Sequence, residues 1–151
     1  MTVIYKSGSN RNYSALYVFL YSFFIHFFWE MWQMPLFTFS QSTDLPAMNW
    51  MCTQASLGDG VIAVISYYFV FYTNKKHWLS TASLVDVFLF ILPGMASTIV
   101  LEHINTGFYS RWEYDPLMPI VPIIGIGLFP FLQWIVIPTM VYLASKKRAE
   151  Q

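Results

Sequence analysis

Three polar side chains, His26, Glu30 and Gln33, interrupt the apolar run FIHFFWEMWQMPLF, Phe24 to Phe37. Their spacing puts all three on one face of a helix. In apolar surroundings a desolvated carboxyl can act as an acid near neutral pH. Elsewhere in apolar stretches stand Asp59, Glu102, His103, Gln133 and Trp134. Gln33, Glu102, His103 and Gln133 could bind a ligand, and an indole face such as that of Trp134 can bind a cation. No lysine lies within an apolar run, so a retinal-type Schiff base is not expected. His26 and His103 differ in expected depth by ~10 Å at the helical rise, which disfavours a haem held between them. A zinc or hard-metal site from His26, Glu30, Asp59, Glu102 and His103 remains open in chemistry. The spacing itself assigns no metal ligand and no cofactor.

The elements that must position these groups follow from composition. Of 151 residues, 56% are hydrophobic, 20% aromatic and 11% charged. Soluble domains carry about a quarter charged residues, so the chain needs lipid to cover it. Net charge is +0 without a basic block, which argues against nucleic acid as a partner. The single cysteine, Cys52, excludes an internal disulfide and a thiolate cluster. The polar N-terminal stretch leads directly into an apolar span, as in an uncleaved anchor.

Four apolar runs fit the length of a bilayer-crossing helix: Tyr13 to Phe37, Asn49 to Tyr72, Leu84 to Asn105 and Met118 to Leu143. The expected fold is all-α, a single-domain polytopic membrane four-helix bundle over residues 1–151. Lys6, Arg11, Lys75, Lys76, Lys146, Lys147 and Arg148 fall on one side, and Arg111 alone on the other. By the positive-inside rule both termini are expected in the cytoplasm. Trp32, Trp50, Trp112 and Tyr114 would form one aromatic belt, and Tyr72, Trp78 and Tyr142 the other. Prolines 119, 122, 130 and 138 would kink the fourth span.

This topology brings Glu30, Asp59, Glu102 and His103 to the outer half of the bundle. A carboxylate facing lipid at mid-depth costs roughly 2.5–3.5 kcal/mol. These groups should therefore face inward and share protons, water or a metal. The structural alternatives are a polar helix-to-helix pair for His26 and Glu30, a helix–helix hydrogen bond for Asp59, and plain solvation for Glu102 or His103. Asp86, three residues after Ser83, reads as a helix-start residue.

In this order the motifs resemble the EXPERA domain, the four-helix membrane domain of emopamil-binding-protein sterol isomerases and the sigma-2 receptor group. Ile25-His26-Phe27-Phe28-Trp29-Glu30 is similar to the isomerases' first-helix Ile-His-x-x-x-Glu. Glu102-His103 followed by Gly107-Phe108 resembles the end of their third helix. Trp134-Ile135-Val136-Ile137-Pro138, then Lys146-Lys147, resembles their last helix and tail. Two positions depart: Met51-Cys52-Thr53-Gln54 lacks the second-helix Glu, and Phe131 stands where the family has an Asn. The resemblance implies a cavity open to the membrane in which an acid protonates a double bond, a base removes a proton elsewhere, and Trp134 faces the cationic intermediate. His26 and Glu30 would be the proton-transfer pair and Asp59 a substitute base. The expected partners are membrane lipid and an apolar, sterol- or isoprenoid-like small molecule, with a homo-oligomer open. Two other function classes stay open: a small transporter or proton/metal-ion conduit, and a non-catalytic assembly subunit.

Overall fold

The computed structural model describes residues 7–39, 44–73 and 78–149. Of the basic residues used for orientation, Lys6, Lys75 and Lys76 lie outside them, as do the side chains of Arg11 and Arg148. The architecture is the expected all-α four-helix bundle. Its long helices are α1 (Ser7–Gln33), α2 (Leu45–Thr73), α4 (Leu84–His103) and α5 (Leu128–Ala149), with a four-residue α3 (Trp78–Thr81) before α4. All four contain a stretch long and apolar enough to cross a membrane.

Local chemistry sets the helix starts. The Asp44 side chain accepts from the Ala47 amide at 2.9 Å, with Pro46 in the first turn of α2, where a missing N–H is harmless. Ser83 and Asp86 form the reciprocal capping box of α4, which gives Asp86 the structural role its position implies. Past His103 the chain widens into a π turn, Ile104–Phe108.

Contacts run α1 to α2, α2 to α4, α4 to α5 and α5 to α1, so the helices stand as four corners of a square. The links at one end are clasped by a two-residue antiparallel pair. In it β1 (Phe37–Thr38) sets Phe37 opposite Tyr114 of β2 (Glu113–Tyr114).

The fourth helix begins at Leu128, not Met118. Residues 116–127 form a non-helical hairpin, closed by the bridge between Ile120 and Gly127. Pro116, Pro119 and Pro122 explain this, because each lacks the N–H a helix needs and restricts the residue before it. Pro130 then sits in the first turn of α5, and only Pro138 is interior.

The bundle has two unlike halves. The end where α1 begins and α5 finishes is an apolar core of residues such as Val18, Val70, Phe90, Ile137 and Val141. Trp78 and Tyr142 belong to this core, at 1% and 9% exposure, and not to an interfacial belt. The short α3 turns Trp78 inward, where its ring lies 5.3 Å from Phe90 and stacks on Tyr142 at 6.0 Å. Trp32, Trp50 and Tyr72 are exposed, as belt residues should be. The clasped half instead buries polar side chains: His26, Gln33, Glu102 and Gln133. Lipid supplies no hydrophobic drive between helices, so packing and interhelical hydrogen bonds must hold this half together.

Candidate functional site

The site begins with an indole. Trp29 Nε1 can only donate, and it donates to Gln33 Oε1 at 3.1 Å, one turn along α1. That leaves the Gln33 amide nitrogen to face α5, where it donates to Gln133 Oε1 at 3.2 Å. The Gln133 nitrogen is thereby turned toward the acids. A donor-only group at one end of the chain has set the direction of two amides.

Gln133 Nε2 lies 2.8 Å from His26 Nδ1, 2.9 Å from Glu30 Oε1 and 3.5 Å from Asp59 Oδ2. His26 Nδ1 is also 3.1 Å from Asp59 Oδ2. An amide nitrogen has two hydrogens, so it cannot serve all three acceptors. With a hydrogen on His26 Nδ1, the ring donates to Asp59 and Gln133 serves Glu30. With Nδ1 bare, it accepts from Gln133, and Asp59 loses its imidazole donor. One proton at the His26–Asp59 contact therefore has two placements, each tied to a different Gln133 pairing. His26 is fully buried, and its Nε2 has no hydrogen-bond partner among the described residues.

Trp134, the next residue on α5, is 1% exposed. Its ring centroid is 4.9 Å from that of His26 at a 48° tilt. The indole lies against α4 at Gly94, where a Cβ would fall 1.8 Å from Trp134 Cε3. Glycine is required there by the close approach alone.

Above these residues is a cavity of about 410 Å³ whose walls include Glu30, Asp59, Glu102, Gln133, Trp134 and Arg111. Glu102 is buried and accepts from the Tyr114 hydroxyl at 2.5 Å. Burial, with the Glu102 carboxylate beside it, pushes the Tyr114 phenol above its ordinary range. Phe37, paired with Tyr114 in the clasp, helps hold this hydroxyl over α4.

Seven of the eight residues singled out from the sequence thus gather: His26, Glu30, Gln33, Asp59, Gln133, Trp134 and, across the cavity, Glu102. His103 does not. It is exposed, outside the cavity wall, and its ring lies near Gly125 of the hairpin. Neighbours on a helix diverge by about 100°, so Glu102 and His103 cannot both face inward. Among the described residues no three of His, Cys, Asp and Glu are placed to hold a metal ion. Cys52 is buried and free.

Two contributors escape a reading of spacing. Trp29 reads as one more aromatic in an aromatic helix, although its position four before Gln33 is a signal. Tyr114 reads as an interfacial ring, and only the clasp reveals its partner. No family model matches the chain, nor does any curated protein or solved structure.

Proposed function

We propose that this multi-pass membrane protein takes a sterol- or isoprenoid-like lipid into the cavity and shifts a double bond in it by proton transfer. The observation that carries the reading is the meeting of His26, Glu30 and Asp59 at one amide nitrogen, with Glu30, Asp59 and Gln133 lining a cavity that Trp134 also walls and His26 buried behind them. Glu30 delivers a proton to one alkene carbon, making a C–H bond and leaving a cation on its neighbour. The Trp134 π face stabilises that cation. Asp59, with His26 against it, takes a proton from an adjacent carbon, and the double bond re-forms one position along. One proton is added and one removed, so no co-reactant is needed. The EXPERA-like order of motifs supports the same division of roles, with both termini in the cytoplasm.

The test is incubation of reconstituted protein with unsaturated sterols and polyisoprenoids in heavy water. Mass spectrometry then reads deuterium entering the lipid. The expected result is incorporation by the wild type, lost in Glu30→Gln and Asp59→Asn. No incorporation, together with no lipid retained in native mass spectrometry, overturns the reading.

A second reading, a proton conduit, is favoured by one observation: the buried, unpartnered His26 Nε2 on the far side of the ring from Asp59. Proton flux into liposomes under a pH gradient, abolished in His26→Phe, would favour it. Wild-type behaviour after replacing Glu30, Asp59 and Glu102 together would leave a non-catalytic assembly role.

A further inference from the structure

The hairpin of residues 116–127 is the most apolar exposed feature outside the helices. Leu117 is 77% exposed, Ile120 45% and Ile123 107%. From Pro116 to Ser145 the chain carries no charged residue, so the hairpin continues the apolar character of α5 without a break. Its tip, Ile123, has φ 73°, a left-handed conformation that β-branched residues rarely adopt. A water-exposed turn would ordinarily place Gly, Asn or Asp there.

The backbone is suited to leaving water. Pro116, Pro119 and Pro122 have no N–H to desolvate. Leu117 N donates to Asp115 Oδ1 at 2.9 Å, and Met118 N to the Asp115 carbonyl at 2.8 Å. Val121, Ile124 and Gly125 also donate within the hairpin. A loop whose donors are mostly absent or satisfied loses less on leaving water than an open loop does.

We propose that this hairpin is a membrane-interface anchor, with Leu117, Ile120 and Ile123 seated below the headgroups beside the cavity. The flanking chain supports the placement. Arg111 and Trp112 before the hairpin, and Pro130 after it, all line the cavity. The hairpin is thus the lipid-facing side of the segment whose inner side is cavity wall. Bilayer lipid is favoured as the occupant over another protein by the continuity with the α5 span and the lack of any charge to specify a partner.

The test uses nitroxide spin labels on Ile123→Cys and, separately, Leu117→Cys, in a Cys52→Ser background reconstituted in phosphatidylcholine vesicles. Glu113→Cys, on the exposed β2 position, is the aqueous reference. Relaxation by oxygen is compared with relaxation by a water-soluble nickel chelate. The expected result is an oxygen-to-nickel ratio well above that of the reference at both hairpin positions. A ratio equal to the reference overturns the proposal in favour of an aqueous loop. Low accessibility to both reagents overturns it in favour of a protein contact. Neither outcome depends on what the cavity binds.

Discussion

The Trp134 indole occupies the space that a side chain on Gly94 would need. A Cβ there would fall 1.8 Å from Cε3 and 1.9 Å from Cζ3 of that ring. Trp134 also touches His26 and walls the cavity, so this one approach ties α4 to the polar half of the bundle. Gly94→Ala is expected to destabilise the protein by about 1–3 kcal/mol, the usual cost of overpacking. Thermal unfolding in detergent reads the cost, and a changed tryptophan emission reports displacement of the ring. An unchanged melting temperature with unchanged emission would contradict the packing described.

Gln133→Leu removes the shared donor while keeping a similar bulk. His26 and Glu30 then lose their bonds from α5, and the Gln33 amide loses its acceptor. The expected destabilisation is about 1–3 kcal/mol, because polar groups are left buried without partners. Combined with Glu30→Gln the loss should be less than additive, with a coupling of about 0.5–3 kcal/mol. Unfolding of the two single variants and the double variant in mixed detergent gives the cycle. Strict additivity would mean that Gln133 and Glu30 do not act together.

Tyr114 sets a pH limit on the clasped end. Its folded phenol is held above the ordinary value of 10.0, first by burial and then by the Glu102 carboxylate. The folded state therefore keeps a proton that the unfolded chain gives up, and the stabilising contribution is full below about pH 10. Above that pH stability is lost progressively until the folded phenol itself ionises. Tyr114→Phe is expected to be less stable than wild type at pH 8, and to fall less steeply with rising alkali. Melting temperatures of both proteins between pH 8 and strongly alkaline pH check the sign. Equal slopes would show that the folded phenol is not held above its ordinary value.

Ile123→Gly should be more favourable in detergent than in vesicles. The left-handed backbone at φ 73° costs an L residue about 1–2 kcal/mol, which glycine does not incur. In detergent micelles the variant is therefore expected to melt slightly higher than wild type. In vesicles it gives up an exposed isoleucine, and the gain should shrink or reverse. A lower melting temperature in both media would mean that the side chain packs within the protein.

Much of the bundle was legible because apolar run length measures bilayer thickness directly. Helices α2 and α4 begin and end near the limits of their runs, whereas α1 starts earlier, at Ser7, and ends earlier, at Gln33. The fourth run misled because hydropathy does not distinguish an apolar hairpin from an apolar helix. The difference lay in Pro119 and Pro122, whose missing donors count against a helix start ahead of Leu128. The convergence of His26, Glu30 and Asp59 was legible for a similar reason, since helical spacing and depth are arithmetic. The direction of the Gln33 and Gln133 amides was not. It depends on how α1 and α5 are rotated against each other, and on a Trp29 hydrogen bond that no spacing rule ranks above the other aromatics. Placing His103 with Glu102 overlooked the helical rotation between adjacent residues.

The bonds that Gln133 makes also impose an order in time. His26 and Glu30 enter the bilayer with the first helix and Asp59 with the second, whereas their amide partner is made after both, on α5. Until that helix arrives, the acids of a nascent chain must find water or another protein. The site is then completed only when α5 enters the bilayer. A chain arrested after α4 should be cleared by membrane quality control faster than the full chain, and pulse-chase measurement of the two would show it. Replacing Glu30 and Asp59 by apolar residues should remove much of that difference.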